Sequence, residues 1–163
     1  MNFFKDPEVK ALIATGGGYG SQRLLPLLDY DFIRAHPKIV MGFSDTTALQ
    51  LGLLKKAGLI SYTGFTLADT QNASSESLLE ETLTLSLLGK PYEIKEGTPM
   101  CLGTVQGPLI GGNLDLIRAL IGTSYQPNFE GSILLIEEVR QEPYKIDCGL
   151  SQRNRLGKHI FLI

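Results

Sequence analysis

The stretch KIVMGFSDTTALQLGLLKKAG, Lys38 to Gly58, places one serine where a buried strand passes into a buried helix. Ile39, Val40 and Met41 form an apolar run suited to a strand covered on both faces, which is the signature of a parallel sheet. Asp45 to Ala57 is apolar on nearly every side, and Lys55, Lys56 and Gly58 close it as a helix C-terminus. Ser44 thereby falls at a strand's C-terminal edge and a helix's N-terminus. The unpaired N–H groups of a first helical turn, with the positive end of its dipole, favour negative charge there. The oxyanion formed when a serine attacks a carbonyl is one such charge.

Gly42-Phe43-Ser44-Asp45-Thr46 approaches the G-x-S-x-G turn of α/β hydrolases, with threonine in place of the second glycine. Serine and aspartate also cap helices routinely. These five residues alone therefore admit two roles for Ser44 and Asp45, a nucleophile turn or a helix cap.

Upstream, a helical fragment is expected at Asp6 to Lys10, followed by a short buried strand at Ala11 to Thr15. That strand runs into Gly16-Gly17-Gly18-Tyr19-Gly20-Ser21. Glycines at a strand end let the backbone approach a ligand and present N–H groups to anionic oxygen; a tight turn at positive φ is their plainer use. G-x-G-x-x-G cannot be laid on these residues and no Walker Lys-Ser/Thr follows, which argues against a dinucleotide or P-loop site. Gln22 to Leu28, with Pro26 inside it, and Asp31 to His36, stopped by Pro37, are expected as short helical pieces. At that helix end His36 suits a surface imidazolium better than a catalytic base. Strand, glycine loop, helix, strand, serine, helix is the βαβ order, with both loops at strand C-termini where such sheets bind ligands.

Beyond Gly58, a further strand is expected at Leu59 to Thr63 and a polar loop at Ala68 to Ser75. An amphipathic helix is expected at Ser77 to Leu88, with Ser77 and Glu80 as a capping box and Gly89 and Pro91 as its stop. From Tyr92 to Ile110 the pattern becomes short alternating strands punctuated by Gly97, Pro99, Gly103, Gly107 and Pro108, which marks a second, more β-rich unit. The expected division is residues 1–90 and 91–163. In the second unit Gly111-Gly112-Asn113 leads into a helix at Leu114 to Ile121, and Ser132 to Glu138 reads as a buried strand. Glu137 at its end can aim a carboxylate into a cleft and orient a histidine, although glutamates are common at wet strand ends.

A chain of 163 residues that is 43% hydrophobic and 20% charged can bury a core, which excludes the disordered and fibrous classes. The formal net charge of −2 and the absence of a basic run interleaved with aromatics argue against nucleic acid as a partner. No apolar stretch reaches membrane-spanning length and MNFFKDPEVK lacks a signal-peptide core, so a cytoplasmic location with no membrane association is the default. Cys101 and Cys148 have no neighbour spacing suited to a metal or a redox dithiol. Only His36 and His159 are available for histidine chemistry.

Taken together, the spaced blocks of this chain resemble the LD-carboxypeptidase family, serine peptidases that include murein tetrapeptide carboxypeptidases and microcin-immunity hydrolases. The resemblance is carried by Phe4-Lys5-Asp6-Pro7-Glu8-Val9-Lys10-Ala11, by Gly17-Gly18-Tyr19-Gly20 with Arg23-Leu24-Leu25-Pro26, and by Pro37-Lys38 followed by Gly42 to Leu49. Later blocks are Gly112-Asn113-Leu114, Ile121-Gly122-Thr123, Gly131 to Glu138 and Pro143-Tyr144-Lys145-Ile146-Asp147. It implies Ser44 as nucleophile, Glu137 as the acid that orients a catalytic histidine, and an oxyanion hole from the N–H of Asp45 and a glycine N–H of the Gly17-Gly18 run. It further implies acyl transfer that removes a terminal D-amino acid from murein peptides during wall recycling, with no metal or cofactor. A homodimer is implied for the complete enzyme.

Departures from the family pattern shape the remaining expectations. Gly16 stands where murein-recycling members usually carry arginine. Family members also begin with a further strand and helix, and their histidine follows the block that ends here at Asp147. The tail CGLSQRNRLGKHIFLI resembles the family only through Leu150 to Gln152, and His159 lacks family-like surroundings. The expected architecture is therefore α/β: a truncated parallel-sheet N-terminal domain followed by the start of a β-rich C-terminal domain, inactive as an isolated chain. Two alternatives accompany it, an immunity-type hydrolase of modified peptide-nucleotides and a non-catalytic peptide-binding remnant.

Overall fold

Val40 and Met41 are buried on both faces of a central strand, β2 (Ile39–Gly42), as their apolar run requires. In the computed structural model, β1 (Ala11–Ile13) and β3 (Tyr62–Thr63) flank it, all parallel in the order β1-β2-β3. Leu12 pairs with Val40, and Met41 with Tyr62. The structure describes residues 1–64, 66–68, 80, 84, 88–91, 93, 97, 98, 102–154, 161 and 162. The expected helix at Ser77 to Leu88 falls mostly outside them, as does the loop at Ala68 to Ser75.

Crossovers in this sheet follow from local chemistry. A 3-10 helix (Ser21–Leu27) and α2 (Tyr30–Ala35) connect β1 to β2, and Asp29 caps α2 by accepting the Phe32 N–H at 3.0 Å. The long helix α3 (Thr46–Ala57) connects β2 to β3 and ends at Gly58, whose φ of 68° lets its N–H reach the Leu54 carbonyl at 3.1 Å. The first helix lies earlier than expected: α1 is Asn2–Lys5, and Asp6 to Lys10 is a turn. Pro7 holds Asp6 extended, and the Asp6 carboxylate accepts the Glu8 N–H at 2.9 Å in place of a helical bond.

A second parallel sheet, in the order β4-β5-β6, comprises β4 (Leu109–Asn113), β5 (Ile133–Glu137) and β6 (Phe161–Leu162). Helix α4 (Leu114–Leu120) follows β4 and α5 (Pro143–Asn154) follows β5, so this unit is also built from βαβ crossovers. Within 92–110 the strands expected from alternation are reduced, among the described residues, to the first two residues of β4. Gly107 there lies so near the Gly131 carbonyl that a Cβ would meet it at 2.5 Å, and Pro108 uses its carbonyl to accept the Ile133 N–H at 2.8 Å. Glycine and proline in this segment seat the entry to β4.

Two apolar clusters share α3. Leu25, Ala48 and Leu51 pack with Ile117, Leu120, Phe129 and Leu134 of the second unit, whereas Leu53 and Ala57 pack with Phe4, Ile33 and Val40 of the first. A helix buried from both sides must be apolar nearly all round, which is what its sequence displays. Each fully buried leucine, isoleucine, valine or phenylalanine among these contributes about 1.5–3 kcal/mol. Among the described residues no helix is long and apolar enough to cross a membrane.

Candidate active site

Only Phe43, Ser44 and Asp45 separate the end of β2 from the start of α3, so the chain reverses within three residues. Ser44 takes up that reversal with a φ of 60°, a left-handed conformation shared among described non-glycine residues only with Arg140. Such a conformation costs on the order of 1–3 kcal/mol and persists where its surroundings enforce it. Here the Thr47 N–H reaches the Ser44 carbonyl at 2.9 Å, and the Thr46 hydroxyl donates to the Phe43 carbonyl at 3.0 Å. Gly42 is required by the same turn, since a Cβ on it would lie 2.4 Å from Thr46 Oγ1. The threonine that replaces the second glycine of G-x-S-x-G is thus housed by the first.

Neither Ser44 nor Asp45 acts as a side-chain cap on α3. The Asp45 carboxylate points to the glycine loop, accepting the Gly20 N–H at 3.0 Å and the Ser21 N–H at 2.9 Å. Ser21 Oγ in turn donates to the Asp45 carbonyl. These bonds draw the loop onto the serine turn, and Gly17 comes so close that a Cβ on it would lie 3.2 Å from Ser44 Cβ and 3.3 Å from Ser44 Oγ. Gly18 and Gly20 have φ of 119° and 114°, so the loop also uses glycine for its turn. A Cβ on Gly16 or Gly18 would meet no atom within 4 Å, which leaves open space beside both.

The second unit joins at the first turn of α3. Thr47, which is 0% exposed, accepts the Asn113 N–H on its hydroxyl at 3.0 Å. Gly112 allows the approach, because a Cβ there would lie 2.5 Å from Thr47 Oγ1. Asn113 is the ladder partner of Glu137, so this contact sets the end of β5 relative to the Ser44 turn. The two carboxylates at that end differ. Glu138 accepts Asn113 Nδ2 at 3.2 Å, the Asp115 N–H at 3.3 Å and the Val139 N–H at 3.0 Å. Glu137 Oε1 is buried and has no hydrogen-bond partner among the described residues. Burial holds the Glu137 carboxyl above its ordinary value; the Asn113 amide opposes that shift and the Glu138 charge reinforces it. An unpaired buried carboxylate oxygen is fitted to receive an N–H such as that of an imidazole.

His36 does not supply that group. It is exposed at the C-terminal end of α2, with its ring stacked on Phe32 at 4.1 Å and Nδ1 3.0 Å from the Phe32 carbonyl. His159 and Cys101 lie outside the described residues, and Cys148 is an exposed free thiol. Among the described residues no group of three or more His, Cys, Asp or Glu side chains is placed to hold a metal.

A family model for the N-terminal domain of LD-carboxypeptidases matches residues 1–64, and one for their C-terminal domain matches residues 106–159. The chain belongs to the LD-carboxypeptidase family. The C-terminal match takes in α5 and continues past Gln152, where the motif resemblance ends. A probable murein peptide carboxypeptidase of Bacillus subtilis is 34% identical, over 95% of this chain and 50% of its own length. The microcin C7 self-immunity protein MccF of Escherichia coli is 32% identical, over 94% of this chain and 57% of its own. Its structure in complex with glutamyl sulfamoyl guanosine superposes with a TM-score of 0.81 at 26% identity, covering 99% of this chain and 59% of that one. The muramoyltetrapeptide carboxypeptidase of Oxalobacter formigenes superposes with a TM-score of 0.83 at 30% identity, covering 99% of this chain and 57% of that one. This LD-carboxypeptidase chain spans about half the length of the curated relatives it matches.

Sequence reasoning placed Ser44, Asp45, Gly17, Gly18 and Glu137 in the site. The structure brings Gly17 against Ser44, ties the loop to Asp45 and sets Glu137 across the ladder from Asn113. Thr47 and Ser21 were missed as the groups that join these parts. A threonine inside a helix and a serine after a glycine run carry no local signal of partners 66 and 24 residues away.

Proposed function

We propose that this chain carries the nucleophile and the orienting acid of a serine-type LD-carboxypeptidase, acting on murein peptides in the cytoplasm during cell-wall recycling. The observation that carries the proposal is Ser44 itself, held at a φ of 60° between a strand end and a helix start with Gly17 packed on its side chain. In this role Ser44 Oγ attacks the carbonyl before a terminal D-amino acid while a histidine takes its proton. The tetrahedral oxyanion is held by the N–H of Asp45 and a glycine N–H of the Gly17-Gly18 run. The amine then leaves, and water releases the acyl group from Ser44. Glu137 orients the imidazole through Oε1, which none of the described residues satisfies. The chemistry calls for no metal or cofactor. In this reading residues 1–90 contribute Ser44 and residues 91–163 contribute Glu137, the two being linked through Thr47 and Asn113.

Little turnover is expected of the 163 residues by themselves, since His36 sits at the surface of α2 and His159 lacks family-like neighbours in the sequence. D-alanine release from a murein tetrapeptide tests both statements. Release by the isolated chain that disappears in Ser44→Ala would overturn the inactivity. In a longer polypeptide containing these residues, release that survives Ser44→Ala would overturn the nucleophile. A second reading, hydrolysis of a peptide-nucleotide, is favoured by the likeness to MccF bound to glutamyl sulfamoyl guanosine. Comparing kcat/KM for a tetrapeptide and an aminoacyl sulfamoyl nucleoside separates the two.

A further inference from the structure

Asp45 is 7% exposed, and its carboxylate accepts neither of the bonds that its position at the start of α3 would offer. Both oxygens are instead engaged by the glycine loop, Oδ1 by the Gly20 N–H at 3.0 Å and Oδ2 by the Ser21 N–H at 2.9 Å. Ser21 Oγ–H closes the ring by donating to the Asp45 carbonyl. We propose that the Asp45 side chain is a positioning residue, a latch that holds Gly17 and Gly18 at the distance from Ser44 which the oxyanion requires. The proposal rests on Ser44 being the nucleophile, and it adds a role for the carboxylate to that of the Asp45 N–H.

Geometry makes the latch effective. Asp45 adjoins Ser44 in sequence, so any movement of the loop relative to Asp45 is a movement relative to the serine. Four glycines at 16–18 and 20 leave Tyr19 as the only side chain between Gly16 and Gly20, and its exposed ring meets the Arg23 guanidinium at 5.1 Å and not the serine turn. Gly17 has no Cβ to wedge against Ser44, and open space lies beside Gly16 and Gly18. Two charge-assisted bonds from an anion to consecutive backbone amides are the anchor that replaces those missing contacts. The same arrangement accounts for a buried carboxylate that has no cationic partner among the described residues: its charge is shared by backbone N–H groups.

The test is amide hydrogen exchange and ¹H–¹⁵N shifts on the 163-residue chain, with Asp45→Asn and Ser21→Ala. Asp45→Asn keeps the volume but sets an NH₂ against one of the two N–H groups. Exchange at Gly20 and Ser21 is expected to rise roughly tenfold or more, the factor that loss of one such bond corresponds to. The resonances of Gly17 and Gly18, two or more residues from the amides that the Asp45 carboxylate accepts, should shift with them, while amides of Ile117 and Leu134 in the apolar core keep their protection. Ser21→Ala, a milder change that removes only the hydroxyl, should move the same glycine resonances less and in the same direction. Unchanged Gly17 and Gly18 in both variants would overturn the latch, as would a uniform loss of protection reaching Leu134 in Ser21→Ala. These readouts need no turnover. If Ser44 fails as nucleophile in the D-alanine assay while the glycine shifts appear, it is the functional reading that falls and not the contact.

Discussion

Replacing Thr47 by valine keeps the shape of a fully buried side chain and deletes one hydrogen bond, which makes it a sharp probe of how the two sheets are joined. The Thr47 hydroxyl accepts the Asn113 N–H at 3.0 Å, and that N–H is buried. A methyl group in its place leaves the donor unsatisfied, at a cost of about 1–3 kcal/mol. Some steric repulsion adds to this, since 3.0 Å is a hydrogen-bond distance and is shorter than a carbon contact. For a chain of this size the loss corresponds to about 2–12 °C in Tm. Thr47→Ser is the control: it keeps the acceptor and removes the methyl that fills the space beside Gly112, a change worth about 0.5–1.5 kcal/mol. Urea unfolding of the three proteins, with exchange at the Asn113 amide as a local readout, should rank them wild type, Thr47→Ser, Thr47→Val. A valine variant as stable as wild type, or more stable than the serine variant, would refute the reasoning that this bond joins α3 to β4.

Three further outcomes are expected. Gly111→Ala places a Cβ 1.7 Å from the Leu135 carbonyl oxygen of the paired strand, so β4 and β5 must separate; the loss should exceed about 4 kcal/mol, and a cooperative unfolding transition close to wild type would contradict it. Gly17→Ala is hindered by contact, because Gly17 lies outside the left-handed region while its Cβ would press on Ser44; it should displace the Ser44 Cβ resonance and cost about 1–3 kcal/mol, and an unmoved Ser44 signal would show that the loop yields instead. Glu137→Gln should alter the pH dependence of stability. The raised carboxyl favours the protonated form in the fold, so its stability is complete below the ordinary carboxylate range and is lost as pH rises through the raised value. The glutamine variant should therefore gain on wild type across that window and converge with it in acid; a difference independent of pH would argue against a desolvated Glu137.

Local signals were strongest where one physical requirement dominates a segment. Ile39 to Met41 must be apolar on both faces in a central parallel strand, and Gly58 must adopt a positive φ after α3, so both are visible in one dimension. The first helix was displaced because the Asp6 carboxylate and Pro7 together favour a turn over the helical pattern that the flanking residues display. From Tyr92 to Ile110 glycine and proline were taken as punctuation between strands, whereas Gly107 and Pro108 serve a close backbone approach that depends on Gly131 and Ile133.

The sequence by itself determined the parallel α/β class, the place of Ser44 between strand and helix, and the run of glycines beside it. Each of these follows from the period of apolar residues or from the backbone freedom of glycine within a few positions. Tertiary structure alone decided what the polar groups do. Asp45 turned from a helix end to the Gly20 and Ser21 amides, Thr47 met Asn113, and of two adjacent glutamates Glu138 drew three donors while Glu137 kept one oxygen without a partner among the described residues. Those outcomes depend on which donors the fold brings to a buried acceptor from distant parts of the chain, and a buried polar atom takes its role from that partner.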